Sequence, residues 1–198
     1  MAIIPASRSS EPGLEIVQQA LKDLEPQPES LGGGVADISH PLAIYRLGLD
    51  DVAEPDSLTH ARFIGWRYLI EGGGQTTGTA DVGETAAGDV RCANLARNEQ
   101  ADLLLEATHL AQAAASLEKA DCEARLLIVP SLYVTAVWLT TSPPLFIPVL
   151  DASRPIRERS DLDVRSNFLE DLAERAEVAK GHRISSEGFD DASPGIAP

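Results

Sequence analysis

The sequence predicts an α+β protein: a mostly antiparallel sheet of about five or six strands packed against a central helix and a C-terminal helix. Three observations lead to this fold class. Apolar residues recur at helical spacing over 101–117, three short apolar segments interrupted by proline follow over 124–150, and an aromatic-rich alternating segment covers 62–70. A helix between two groups of strands favours one layered domain.

A tethered N-terminal amphipathic helix is predicted ahead of the sheet, over residues 14–24. Its apolar seam has the spacing i, i+3, i+7 and i+10 and consists of Leu14, Val17, Leu21 and Leu24. Prolines lie on both sides and glycines follow at 32–34, so we expect 1–34 to be a mobile segment with a Pro/Gly linker. The seam docks either on the chain's own domain or on another chain, including a second copy of this one.

The first half of the domain is predicted to hold three strands. Residues 41–49 are mostly apolar and lead into the acidic stretch 50–56. In 62–70 the side chains alternate with the two-residue period of a strand, and the glycines that follow turn the chain so that 76–82 returns as a hairpin partner. The segment 83–97 shows no clear period, and we expect it to be irregular.

The central block, 101–150, carries the clearest pattern. The stripe of its helix that faces the sheet is predicted to consist of Leu103, Ala107, Leu110, Ala114 and Leu117, widened by Leu104, Ala111 and Ala115. Strands are predicted at 124–129, 132–140 and 145–150, and Pro148 places the last one at a sheet edge because proline cannot donate to a ladder. Residues 126–139 carry no formal charge, but they are shorter than the ~20 residues of a membrane span and contain a proline, so we predict no membrane association.

A second amphipathic helix is predicted from Asp161 onward, with Gly181 as its left-handed cap. With 198 residues, 43% of them hydrophobic, the chain is large enough for one core. We therefore assign a single α+β domain to 35–182. The remaining segment, 183–198, is rich in acidic and small residues and is expected to be a disordered tail.

Composition restricts the class of partner and the compartment. The formal net charge of −15 disfavours nucleic acid and anionic lipid, because both need clustered basic residues. The N-terminus lacks the apolar stretch of a secretory signal, so we expect a soluble, cytoplasmic protein. Cys92 and Cys122 have no metal-ligand spacing and are predicted to be free thiols.

No motif is specific enough to name a reaction. The segment 73–79 has the outer spacing of a phosphate loop, but it lacks the lysine before its last threonine, so a hairpin turn is the better interpretation. The four histidines are scattered, and we predict no cofactor and no metal site. The weak catalytic candidate is His60, which a carboxylate of Asp50, Asp51 or Glu54 could orient as a base.

Large aromatic side chains are the remaining candidates for a functional surface. Trp66, Tyr68, Tyr133 and Trp138 lie on predicted strands and form either core or, if one sheet face is uncovered, an exposed patch. The favoured hypothesis is a non-catalytic protein-binding or assembly protein that uses the N-terminal helix, this aromatic face or both, with self-association into a homo-oligomer included. The alternative is a small enzyme or ligand-binding domain with a polar site near His60 and the acidic loop 50–56.

Overall fold

A mostly antiparallel sheet with helices on both faces makes up the fold. The computed structural model describes residues 11–24, 37–38, 41–72, 75–85, 89–96, 100–118, 122–157 and 159–187. Within these ranges there are eight strands and four α-helices. Their bounds are α1 Glu11–Leu24, β1 Asp37–Ile38, β2 Leu42–Arg46, α2 Leu49–Val52, β3 Arg62–Gly72, β4 Gln75–Glu84, β5 Val90–Ala96, α3 Gln100–Glu118, β6 Ala124–Val129, β7 Val134–Leu139, β8 Leu145–Asp151 and α4 Phe168–Glu187.

The strand order shows two antiparallel units that meet at a parallel pair. The order is β5-β4-β3-β2-β6-β7-β8, with the short β1 paired to β3. Every described pair is antiparallel except β2 with β6, which lies in the middle of the sheet. A parallel pair needs a long crossover, and the chain between β2 and β6 includes α3.

The described sheet has more strands than the five or six that the sequence predicts. The first additional strand, β1, has only two residues, which is too short to give a pattern. The second, β5, lies in the segment expected to be irregular and pairs with β4 at one end of the sheet. Its exposed positions include Arg91, Ala93 and Asn94, so it lacks the apolar run that identifies a buried strand.

The helix α3 covers one side of the sheet, which we call the α3 face. Its buried line runs through Leu104, Ala107, Ala111 and Ala115, whose spacing of three or four residues keeps them on one helical face. Leu117, which the sequence places in the buried stripe, is 82% exposed. The buried line therefore agrees with the predicted stripe, except that the stripe ends before Leu117.

The three late strands form where the sequence predicts them. The segment after β6 is a single 3-10 turn at Pro130–Leu132, consistent with a proline that breaks the strand. In the described sheet β8 is an edge strand, as Pro148 indicates. Its free side is bridged at Phe146, which exchanges backbone hydrogen bonds of 3.0 and 2.8 Å with Arg165.

The other side of the sheet, the α1/α4 face, is covered by two helices over different strands. Val17 and Leu21 of α1 pack in one apolar group with side chains of β3 and β4. Phe168, Leu172 and Ala176 of α4 pack in a second group with side chains of β6, β7 and β8. The strand β2 lies between the two groups, since its neighbours are β3 on one side and β6 on the other.

The C-terminal helix differs from its predicted bounds at both ends. Asp161 ends a short 3-10 turn, Arg159–Asp161, and its carboxylate accepts a 2.8 Å hydrogen bond from the Arg157 amide. Residues 162–167 are not helical, and Arg165 among them is bonded to β8, so α4 begins only at Phe168. At the other end α4 passes through Gly181, so the predicted cap is wrong. The helix continues to Glu187, beyond the predicted domain boundary at 182, and residues 188–198 lie outside the described part of the chain.

A buried carboxylate links α4 to the end of β8. Asp151 accepts hydrogen bonds from the amide and hydroxyl of Ser153, at 2.9 and 2.7 Å, and pairs with the Arg175 guanidinium at 3.1 Å. The same guanidinium donates to the Leu132 carbonyl oxygen at 3.2 Å. Three segments that are distant in sequence are therefore joined at one charged group.

Candidate aromatic and arginine site

A row of side chains crosses the middle of the α1/α4 face. The strand registers place Trp66 next to Ala43, Ala43 next to Arg125, and Arg125 next to Trp138. These four residues belong to four adjacent strands, β3, β2, β6 and β7. With an inter-strand spacing of about 4.8 Å, the row is about 14 Å long from Trp66 to Trp138.

A bulge in β3 adds two more aromatic rings to this row. Ile44 pairs with Gly65, but Tyr45 pairs with Phe63, so Ile64 is the extra residue and its side chain is exposed. Gly65 has a φ of +148°, and a Cβ there would overlap the Val82 carbonyl oxygen, so the bulge requires glycine. The bulge brings Phe63 to the same face as Trp66.

The rings contact one another in a continuous chain. Ring centroids are 4.9 Å apart for Phe63 and Trp66, 5.8 Å for Phe63 and Tyr45, and 5.7 Å for Tyr45 and Trp138. All three pairs are edge-to-face, the arrangement that the ring quadrupoles favour. Tyr45 contacts both apolar groups of this face, so the rings lie where the α1 group meets the α4 group.

Arg125 is held between two of these rings and one carboxylate. Its guanidinium carbon is 4.7 Å from the centroid of Tyr45 and 4.9 Å from that of Trp138, both cation–π distances. Its Nη2 donates to Glu123 Oε2 at 2.7 Å. We call Tyr45, Phe63, Trp66, Glu123, Arg125 and Trp138 the aromatic–arginine cluster.

Four buried polar atoms of this cluster have no hydrogen-bond partner within the described chain. They are the indole nitrogens of Trp66 and Trp138, Arg125 Nε and Glu123 Oε1. Trp66 and Trp138 are only 6% and 7% exposed, so water compensates little for the missing bonds. A buried donor or acceptor without a partner costs about 1–3 kcal/mol, and such atoms are uncommon in native folds.

The four aromatic residues proposed from the sequence have different surroundings. Trp66 and Trp138 belong to the aromatic–arginine cluster. Tyr68 is fully buried beneath α1, and a Cβ on Gly13 would overlap its hydroxyl. Tyr133 is 72% exposed, lies in the turn before β7 and has a left-handed φ of 52°. The four residues therefore do not form one aromatic surface: Trp66 and Trp138 share the cluster, Tyr133 lies apart from it, and Tyr68 belongs to the core.

The helical seam proposed as a partner-binding surface faces the chain's own sheet. Val17 and Leu21 are buried there and Leu14 is half-buried, while the side chain of Leu24 lies outside the described residues. A partner cannot reach Val17 or Leu21 while α1 occupies this position. The seam remains a predicted interaction surface only for a state in which α1 leaves the sheet.

His60 does not meet the carboxylates proposed for it. Its Nε2 lies 3.7 Å from Asp56 Oδ1, in the same short turn, and its side chain is 46% exposed. No hydrogen bond or ion pair joins it to Asp50, Asp51 or Glu54 in the described structure, and Asp50 and Glu54 are exposed. The carboxylate that the structure places beside His60 is therefore that of Asp56.

The cluster residues that the sequence did not single out are Tyr45, Phe63, Glu123 and Arg125. Their patterns are ordinary for strands, and only the pairing of β2 with β6 makes Arg125 a neighbour of Tyr45. A positive charge inside the apolar run 124–129 was the one available signal.

The described residues also bear on other classes of site. Among the residues that the structure describes, no group of three or more His, Cys, Asp or Glu is placed to hold a metal ion. No described helix is long and apolar enough to cross a membrane. Cys122 is buried and Cys92 is partly buried, and no disulfide joins the two. β3 and β4 form a hairpin in which Gly72 pairs with Gln75 and Ile70 pairs with Gly78, while Gly73 and Gly74 lie outside the described residues.

Comparison with protein-family models, with curated proteins and with solved structures finds no match to this chain.

Proposed function

We propose that this chain is a non-catalytic binding protein that engages a partner protein through the aromatic–arginine cluster. The observation that carries the proposal is the group of partly exposed side chains of Tyr45, Phe63 and Arg125, which contact one another in the middle of one sheet face.

The residue types also favour a protein partner. Trp, Tyr and Arg are the side chains that contribute most to binding energy at protein interfaces, where they lie in closely packed central positions. In this cluster Tyr45, Arg125 and Trp138 contact one another, and Trp66 is joined to Tyr45 through the ring of Phe63. Its length of about 14 Å, three inter-strand spacings, suits a peptide segment better than a large globular surface.

The helical route to a partner has less support. In this arrangement Val17 and Leu21 already bury their side chains against the sheet, which removes the apolar surface that would drive a second association. The proposal therefore uses the sheet face, and self-association through α1 would require that helix to leave its position.

The test is selection of binding peptides from a random library displayed against the whole protein. Tyr45→Leu removes one ring of the cluster, and Tyr133→Leu is the matched control because it makes the same change at an exposed site outside the cluster. We expect selected peptides to bind the unmodified chain and the Tyr133→Leu variant equally and to bind the Tyr45→Leu variant at least about tenfold more weakly, a loss of about 1.4 kcal/mol.

Far-ultraviolet circular dichroism and a melting curve check that both variants are folded. Peptides that bind all three proteins equally would show that the cluster is not the binding surface. A selection that yields no binding peptide would likewise contradict the proposal.

A further inference from the structure

We infer that this chain forms a twofold-symmetric dimer in which an arginine pair of one copy binds an acidic turn of the other. The arginine pair consists of Arg46 and Arg62, and the acidic turn is the segment 50–56 between β2 and β3. Neither belongs to the aromatic–arginine cluster, so the inference is independent of the proposed peptide binding.

The two arginines are direct neighbours on adjacent strands. Arg46 is the last residue of β2 and pairs with Arg62, the first residue of β3. Both side chains are exposed, and no carboxylate of the described residues forms an ion pair with either. Like charges directly opposite each other in a sheet are destabilising, so this pair favours an anionic neighbour. Other arginines of the described chain already have a carboxylate partner, among them Arg67, Arg125, Arg165 and Arg175.

Strand alternation places the arginine pair on the α3 face. The preceding and following residues, Tyr45 and Phe63, lie in contact on the α1/α4 face, so Arg46 and Arg62 point to the other side. Ile64, the extra residue of the bulge, is 44% exposed and lies two positions after Arg62. The arginine pair therefore has an exposed apolar side chain close to it.

The acidic turn is held on the side of α4. Val52 belongs to the apolar group that contains the buried residues of α4, and the Lys180 ammonium donates to the Asp50 carbonyl oxygen at 3.4 Å. The side chains of Asp50, Glu54 and Asp56 are exposed. With the turn in this position, none of these carboxylates forms an ion pair with the arginine pair of its own chain in the described structure.

A twofold axis brings these two surfaces together between copies. In an interface of this kind, if one residue contacts a second on the partner copy, the second also contacts the first, so each arginine–carboxylate contact forms twice. Guanidinium groups bind carboxylates through two parallel hydrogen bonds, which makes arginine suited to such contacts. A second copy supplies anions to the arginine pair and cations to the acidic turn at once, whereas a separate acidic protein would supply only the anions.

The net charge of −15 does not prevent this contact. At physiological ionic strength charges more than about 8 Å apart are largely screened, so most of the repulsion between two copies is weak. Paired groups that touch are much closer than this distance and keep their attraction. The local charges at the interface therefore decide whether two copies associate.

The experiment measures the mass of the full-length chain by sedimentation equilibrium at about 0.15 M salt. We expect a dimer whose dissociation constant rises at least about tenfold in the Arg62→Glu variant, because like charges then meet twice in each dimer. Glu54→Arg should have the same effect. Lys22→Glu is the matched control, since it reverses one exposed charge on α1, and it should leave the dissociation constant unchanged.

An equimolar mixture of the Arg62→Glu and Glu54→Arg variants separates specific pairing from a change in net charge. In the mixed dimer each contact again joins a positive to a negative side chain, so we expect dimerisation to recover to within about threefold of the unmodified chain. Circular dichroism checks that the variants are folded, and Arg46→Glu replaces Arg62→Glu if that variant is not.

Each outcome decides the inference. A chain that stays monomeric at its highest soluble concentration would overturn it, even if its arginine pair binds a different acidic protein. A dimer that the charge reversals do not weaken, or a mixture that does not re-associate, would also overturn it. Because the cluster is on the other face of the sheet, peptide binding that depends on Tyr45 stands or fails separately.

Discussion

The position of α1 on the sheet leads to a prediction that can be worked out from burial. Leu21→Ala removes three carbon atoms from a side chain that is 9% exposed and packs in the apolar group over β3 and β4. At about 0.8 kcal/mol per buried methylene group, the lost transfer free energy is about 2.4 kcal/mol. Incomplete collapse of the cavity adds to this value, so we expect the free energy of unfolding to fall by about 2–4 kcal/mol.

The control is the same substitution on a different helix. Leu117→Ala changes a side chain that is 82% exposed on α3, so it should change the free energy of unfolding by no more than about 0.5 kcal/mol. Urea unfolding followed by circular dichroism measures both variants. For a domain of this size, 1 kcal/mol corresponds to about 2–4 °C, so the melting temperature of the Leu21→Ala variant should drop by about 5–15 °C.

Equal unfolding midpoints for the two variants would refute the reasoning. They would mean that α1 is not part of the cooperative structure and that its seam is available to another chain. Loss of protection of the α1 amides in hydrogen exchange, without a change in global unfolding, would lead to the same conclusion.

Three further predictions concern other parts of the fold. Asp151→Asn should lower the free energy of unfolding by about 1.5–3 kcal/mol in urea titrations, because the carboxylate is buried against a guanidinium on α4. Gly65→Ala should cost at least about 2 kcal/mol because its Cβ meets a carbonyl oxygen at positive φ, whereas Gly181→Ala, which meets open space within a helix, should stabilise by up to about 1 kcal/mol. Burial, with a contribution from the Asp81 charge, raises the pKa of the Cys92 thiol, so maleimide labelling at neutral pH should be slower than for free cysteine and should accelerate in the Asp81→Asn variant.

The sequence predicts the strands best where apolar runs are bounded by turn residues. β6, β7 and β8 satisfy this condition because Pro130 and the segment 140–144 interrupt them, and the glycines at 72–74 define the β3–β4 hairpin. Strands at the edge of the sheet are harder to predict from the sequence. The edge strand β5 buries little, so selection for an apolar pattern is weak there and the segment gives no strand signal.

The site is harder to predict than the strands because it depends on neighbours that sequence periodicity does not provide. Alternation in β3 indicates which side chains share a face, but the bulge beside Gly65 reverses the order for Phe63. Alternation in β6 places Arg125 on one face without showing that Tyr45 and Trp138 enclose it. The periodicity of α3 likewise shows which side chains share a helical face, but the sheet beneath α3 determines which of its apolar side chains become buried.

The parallel pairing of β2 with β6 sets the order in which the molecule can assemble during synthesis. On one side β2 pairs with β3, which follows soon after it in the chain. On the other side Ala43 pairs with Arg125, and β3, β4 and α3 are all synthesised before Arg125. Until β6 leaves the ribosome, one edge of β2 has exposed hydrogen-bonding groups, and Tyr45 lacks half of its surroundings. The aromatic–arginine cluster, which includes Arg125 of β6 and Trp138 of β7, therefore cannot form before the second half of the sheet has been made.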